Sequence, residues 1–242
     1  KVLSPRSEQF VPSAIALEKR VPVRIRPQGA EFSSDKGMRR NTGPAVITLE
    51  SSLVDTLEEV KWVNGLLEFL YYDMLPAAVP DPILRSYLVS EKASRIWIPA
   101  FTHVSYDPNP GANYEVLEKE GDAAMKLSFI WYLINRIPNI QEGQLGRLSD
   151  HYLSKEFQAG LSTRYGLADW VRTNLDLSIH VREDVLESFF GALFMVAEIY
   201  LPSFEMQSEG SSRMPITAGQ SICYNFLRDI FDKVEIDRTL FL

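Results

Sequence analysis

The sequence predicts a mainly α-helical domain behind an irregular N-terminal arm, and three observations predict it. From Glu50 onward apolar residues recur at helical spacing, starting with Leu53, Leu57 and Val60. Residues Arg182–Leu201 are apolar nearly all round, the pattern of a helix buried in a core. Before residue 45, by contrast, Pro5, Pro12, Pro22, Pro27 and Pro44 exclude any long helix. A chain of 242 residues can bury a substantial core, and it contains no run of 18 apolar residues that would span a membrane.

In chain order, Val21–Ile25 and Ala45–Leu49 read as short strands in the N-terminal extension. Residues 1–45 hold nine Lys/Arg against four Asp/Glu, a net +5, which leaves a net −12 on the rest. Arg24, Arg26, Arg39 and Arg40 are candidates to touch phosphate backbones; a solvated arm wrapping the domain fits the same composition. Leu53 through Tyr71 suggest one or two helices running to Leu75, with Gly65 between them or inside one. The stretch Pro76–Pro82 is a break, which sets residues 1–80 as an accessory extension and 81–242 as the main domain. Helices are expected at Pro82–Val89, at Lys92–Tyr106, from Asn113 on, over Gly143–Tyr165 and over Arg182–Leu201. After a polar loop, Pro202–Pro215, Thr217 is placed to cap a closing helix, Ala218–Val234. The lone Cys223 rules out an internal disulfide and fits a reducing, intracellular setting, and no secretory signal pattern opens the chain. A sequence pI near 5.1 argues against a protein that grips nucleic acid by charge alone.

Two acidic sites carry the chemistry. Glu115, Glu118, Glu120 and Asp122 fall within eight residues, and Glu118 and Asp122 share a helical face with Glu115 beside them. Alone, such a run is most often a solvated face. The second site, Asp184 and Glu187, lies on one stripe of the apolar segment with Ser188 and Gly191. Carboxylates in apolar surroundings need water, a cationic side chain or a metal ion. A buried ion pair and a metal site both satisfy that need. Two helices each offering a carboxylate pair are also what a two-metal phosphodiesterase site requires.

Tyr114-Glu-Val-Leu-Glu-Lys-Glu-Gly-Asp-Ala-Ala resembles the signature helix of the ribonuclease III family, and Asp184-Val-Leu-Glu-Ser-Phe-Phe-Gly-Ala-Leu resembles its second acidic helix. Ala100 to Tyr106, Glu142-Gly-Gln-Leu, and Leu153-Ser154 through Tyr165-Gly-Leu167 are similar to further family motifs in the same order. The resemblance implies the family's helical endonuclease fold, with Glu118, Asp122, Asp184 and Glu187 as catalytic residues holding Mg²⁺, or Mn²⁺ in its place. It implies hydrolysis of double-stranded RNA to 5′-phosphate products, with recognition by duplex shape. Glu142 becomes a possible outer contributor of charge, as does Glu115, although Glu142 equally suits a helix N-terminus. His103 more simply orders its loop than binds metal, since no second His or Cys stands at ligand spacing.

Two departures bear on assembly. Lys119 and Glu120 replace the Phe and Leu of the family signature, at a position that packs into the partner subunit, so both are dimer-interface candidates. The double-stranded-RNA-binding domain of the common bacterial architecture is not seen in these residues. The expectation is therefore a homodimer or a heterodimer with a related chain. The alternative is a catalytically silent or heterodimer-dependent subunit of an RNA-processing or ribosomal complex.

Overall fold

The computed structural model describes residues 49–201 and 217–241. By contacts the chain divides into Lys1–Lys61 and Trp62–Leu242, and the second unit holds the helical body. Among the described residues there are eight α-helices and no strand, only an isolated parallel bridge between Thr102 and Arg172. The suggested strand Val21–Ile25, nearly all of Ala45–Leu49, the arm arginines Arg24, Arg26, Arg39 and Arg40, and the loop Pro202–Pro215 lie outside the described residues.

Helix α1 (Leu49–Phe69) runs straight through Gly65, where the Trp170 ring sits so close that a Cβ would stand 2.8 Å from it. A π turn (Leu70–Met74) and a short 3₁₀ turn (Leu75–Ala77) containing Pro76 end this segment. Helix α2 (Pro82–Leu88) starts at Asp81, whose Oδ1 accepts from Ile83 N at 2.7 Å, with Pro82 at the first helical position. Ser90 caps α3 (Glu91–Ala100), Ser154 caps α6 (Lys155–Arg164), Ser178 caps α7 (Ile179–Tyr200), and Thr217 caps α8 (Ala218–Phe231) as expected. Helix α4 spans Glu115–Arg136 and α5 spans Glu142–Tyr152.

Two expected helices are shorter than the sequence pattern suggests. The helix foreseen over Lys92–Tyr106 ends at Ala100, because the next residues pair elsewhere: Arg172 N donates to Phe101 O (2.8 Å) and His103 N to Arg172 O (2.9 Å). The long helix foreseen over Gly143–Tyr165 is two, α5 and α6. The Ser154 hydroxyl accepts from Phe157 N at 3.4 Å, and the Gln158 side chain takes the Leu153 carbonyl at 2.9 Å, so local side-chain bonds replace the helical ladder there.

Helices α4 and α7 form the central pair and run antiparallel, since Leu117 faces Gly191 and Gly121 faces Glu187. Helix α8 runs antiparallel to α7, since Gly219 meets Phe194 and Glu198 while Phe226 meets Phe189. It also packs on α4, where Gln220 Nε2 donates to Ser128 Oγ (2.8 Å) and the Phe231 ring lies tilted 4.6 Å from Phe129. Trp97, Phe189, Phe190 and Phe226 make a fully buried aromatic core behind α7. Each such side chain contributes about 1.5–3 kcal/mol by leaving water. The acidic stripe of α7 is thus fixed by an apolar remainder that has one way to pack. No described helix is long and apolar enough to cross a membrane.

Candidate metal and phosphodiester site

The site is built on backbone contact. A Cβ on Gly121 would overlap the Glu187 carbonyl oxygen and stand 2.6 Å from the Glu187 carbonyl carbon and 2.7 Å from Gly191 N. A Cβ on Gly191 would overlap the Leu117 carbonyl oxygen and lie 3.1 Å from Gly121 N. Only glycine at both positions lets α4 and α7 touch here. Each contact residue of α4, Leu117 and Gly121, immediately precedes a carboxylate, Glu118 and Asp122. The crossing therefore brings both acid pairs to one rim.

The electrostatics of the rim match that placement. Glu187 is only 8 % exposed, and burial pushes its carboxyl up to about 8, with the charges of Asp122, Glu183 and Glu118 adding to the shift and a hydrogen bond from Gln158 opposing it. Asp184 is raised by burial first and by Glu118 next, while a hydrogen bond from Tyr114 works the other way. That bond runs from the Tyr114 hydroxyl to Asp184 Oδ2 at 3.2 Å. Two lysines flank the rim. Lys119 Nζ holds Glu118 Oε1 at 2.5 Å, and Lys155 Nζ lies 2.9 Å from Glu183 Oε2 and 2.9 Å from His180 Nδ1. Among the described residues no Lys or Arg closes an ion pair directly with Asp184 or Glu187.

Among the described residues no three His, Cys, Asp or Glu side chains stand together as a finished coordination sphere. Glu118 is drawn aside to Lys119, and Asp122 points to solvent. The donor set still fits a hard divalent cation: all four groups are carboxylates, and two of them sit in a net negative field that Lys155 offsets only in part at Asp184.

The other expected residues are placed as follows. Glu115 is exposed in the first turn of α4, and its charge reaches Tyr114. Glu142 opens α5, where negative charge suits the helix N-terminus. Lys119 is exposed and Glu120 half-buried, its carboxyl raised by burial. His103 orders its loop: Nδ1 meets Ser105 Oγ at 2.7 Å and accepts from Ser105 N at 2.9 Å. Tyr114 and Gln158 are contacts the sequence does not single out, and Lys155, which in the sequence reads only as a tolerable variation after Ser154, is a third. Tyr114 was detectable, since it stands four residues before Glu118 and so shares its face. Lys155 and Gln158 come from a separate helix and carry no such mark.

A family model, the ribonuclease III domain, matches residues 115–198. The chain is 28% identical over 131 residues to ribonuclease 3 of Lactobacillus johnsonii, covering 50% of this chain and 58% of that one. It is 30% identical over 103 residues to ribonuclease 3 of Brucella canis, covering 40% and 42%. The chain thus spans about half the length of the curated relatives it matches. A solved nuclease domain of ribonuclease III from Campylobacter jejuni is similar at 23% identity and a TM-score of 0.46, over 62% of this chain and 94% of that one. The matched stretch begins at the first residue of α4 and ends within α7, so it contains both acidic pairs and the glycine crossing. Over residues 115–198 the chain is thus similar to ribonuclease III domains.

Proposed function

We propose that this chain is a metal-dependent endoribonuclease that hydrolyses double-stranded RNA and leaves 5′-phosphate ends. One observation carries the reading: the Gly121–Gly191 crossing that brings Glu118, Asp122, Asp184 and Glu187 to a single rim. Those four side chains would hold Mg²⁺ or Mn²⁺. Such an ion lowers the pKa of a water and neutralises charge on a phosphate. Asp184 and Glu187, fixed on the buried helix, supply the rigid half of the ligand set. Glu118 and Asp122, on the open side, supply the half that adjusts as Lys119 releases Glu118. The apolar wall behind α7 keeps bulk water from the inner carboxylates and so strengthens their hold on a cation.

The outer face of α4 suits a second copy of the chain. Val116 (67 % exposed), Leu127 (41 %) and Ile134 (42 %) line it with Glu120 among them. Large apolar side chains in a row on one helix mark an association surface. A related chain offering a cation to Glu120 would fit the same face, and sizing of the pure protein separates a homodimer from a monomer awaiting such a partner.

The function is tested on a perfect RNA duplex with Mg²⁺, beside EDTA and the Glu187→Gln variant. Cleavage of both strands to ends that a 5′-phosphate-dependent exonuclease degrades is expected from the wild type, and none from the two controls. Intact duplex with pure wild type in Mg²⁺ and in Mn²⁺ would refute the reading of a self-sufficient enzyme.

A further inference from the structure

We propose that Tyr114 is a positioning residue that sets the rotamer of Asp184 for the cation; this rests on the metal-site reading above. The two α7 carboxylates differ from the α4 pair in how they are held. Glu118 is tied to the flexible, exposed Lys119, whereas Asp184 receives its bond from a phenol that is 2 % exposed. The tyrosine itself cannot drift. Its backbone N donates to Thr102 O at 3.0 Å, and its ring meets the edge of His103 at a centroid distance of 5.5 Å. His103 is in turn pinned by Ser105, and Thr102 is fully buried and bridged to Arg172. The loop after α3, the start of α4 and the start of α7 therefore converge on one carboxylate oxygen.

A ligand carboxylate with one oxygen held by a fixed donor presents the other in one direction, and loss of such an outer partner weakens metal binding tenfold or more. The test is Mn²⁺ binding to RNA-free protein, followed by the electron paramagnetic resonance signal of free Mn²⁺. Tyr114→Phe is expected to bind about tenfold more weakly than wild type, and Tyr114→Phe in an Asp184→Asn background no more weakly than Asp184→Asn alone. In duplex cleavage the Tyr114→Phe midpoint moves to higher Mg²⁺, with kcat recovered at saturation. Unchanged Mn²⁺ affinity in Tyr114→Phe, or an equal further loss in the Asp184→Asn background, overturns the inference while leaving the metal site standing. Wild-type protein that binds no Mn²⁺ removes both. If Tyr114→Phe does not fold, His103→Ala carries the test, because it keeps the phenol and removes its neighbour: a smaller loss is expected, and full affinity overturns the inference.

Discussion

Replacing Gly121 by Ala adds one methyl group at the point where α4 and α7 touch. That carbon would stand 2.6 Å from the Glu187 carbonyl carbon, where ordinary contact begins at 3.4 Å. Its neighbours are backbone atoms of a helix, which have no rotamer by which to yield, and the Glu187 carbonyl oxygen is nearer still, so the helices must separate by roughly 1–2 Å. Overpacking of this kind costs about 1–3 kcal/mol, and backbone against backbone belongs at the upper end. Alanine's better helix propensity returns up to about 1 kcal/mol, leaving a net loss of about 2 kcal/mol. For a body of this size that lowers the thermal midpoint by roughly 4–8 °C. Activity falls further than stability, because the separation acts directly between the two acid pairs, and a displacement of about 1 Å costs on the order of 100-fold in rate. Gly160→Ala is the control: a Cβ there meets nothing within 4 Å, so stability should rise slightly and cleavage stay unchanged. Thermal melts and duplex cleavage on both variants decide the matter. A Gly121→Ala protein that melts and cuts like Gly160→Ala would refute the crossing as the device that assembles the site.

The Glu187 carboxyl, raised to about 8 in the folded chain, binds its proton more tightly than in the unfolded chain. Its contribution to stability is therefore complete below an ordinary carboxyl pKa and is lost as pH climbs toward 8. In EDTA the melting temperature should fall across that window, Glu187→Gln should flatten the fall, and an unchanged slope in the variant would assign the effect to another group. Arg172 stacks over Trp62 at 4.1 Å and Tyr106 at 4.9 Å and donates to Thr102 Oγ1 from two nitrogens. Arg172→Lys keeps the charge but loses the planar fork, so about 1–2 kcal/mol of stability should go; a melt within error of wild type would show that the stack contributes nothing.

What the sequence disclosed depended on how local each feature is. The acidic pairs were legible because helical spacing alone puts Glu118 with Asp122 and Asp184 with Glu187. Thr217 was legible as a cap because its chemistry is with Gln220 N, three residues on. The overrun of α3 to Tyr106 had the opposite cause. Residues 101–106 are apolar enough to continue a helix, and what stops them is Arg172, some seventy residues away in the chain. The missed break at Ser154 is intermediate, since serine caps are local but the apolar repeat Leu148, Tyr152, Leu161 continues across it. Lys155 belongs to the same blind spot: its importance comes from Glu183 and His180, which reach it only once α6 lies on α7.

The sequence left a choice for Asp184 and Glu187 between a buried ion pair and a metal ion, and the packing weighs on that choice. The lysines near the rim are engaged elsewhere: Lys155 pairs with Glu183, next to Asp184, and Lys119 pairs with Glu118 on α4. Both lysines stay on the solvent side, where an ion pair adds little to stability. Glu187 is consequently buried among like charges with no cationic side chain bonded to it, Lys119 and Lys155 acting on it only from a distance, an arrangement that costs the folded chain stability as pH rises. A stability optimum would place an apolar residue or a bonded arginine there instead. A carboxylate kept at that cost, on a helix whose glycine brings it against two more acids, supports the proposed cationic ligand over a buried ion pair.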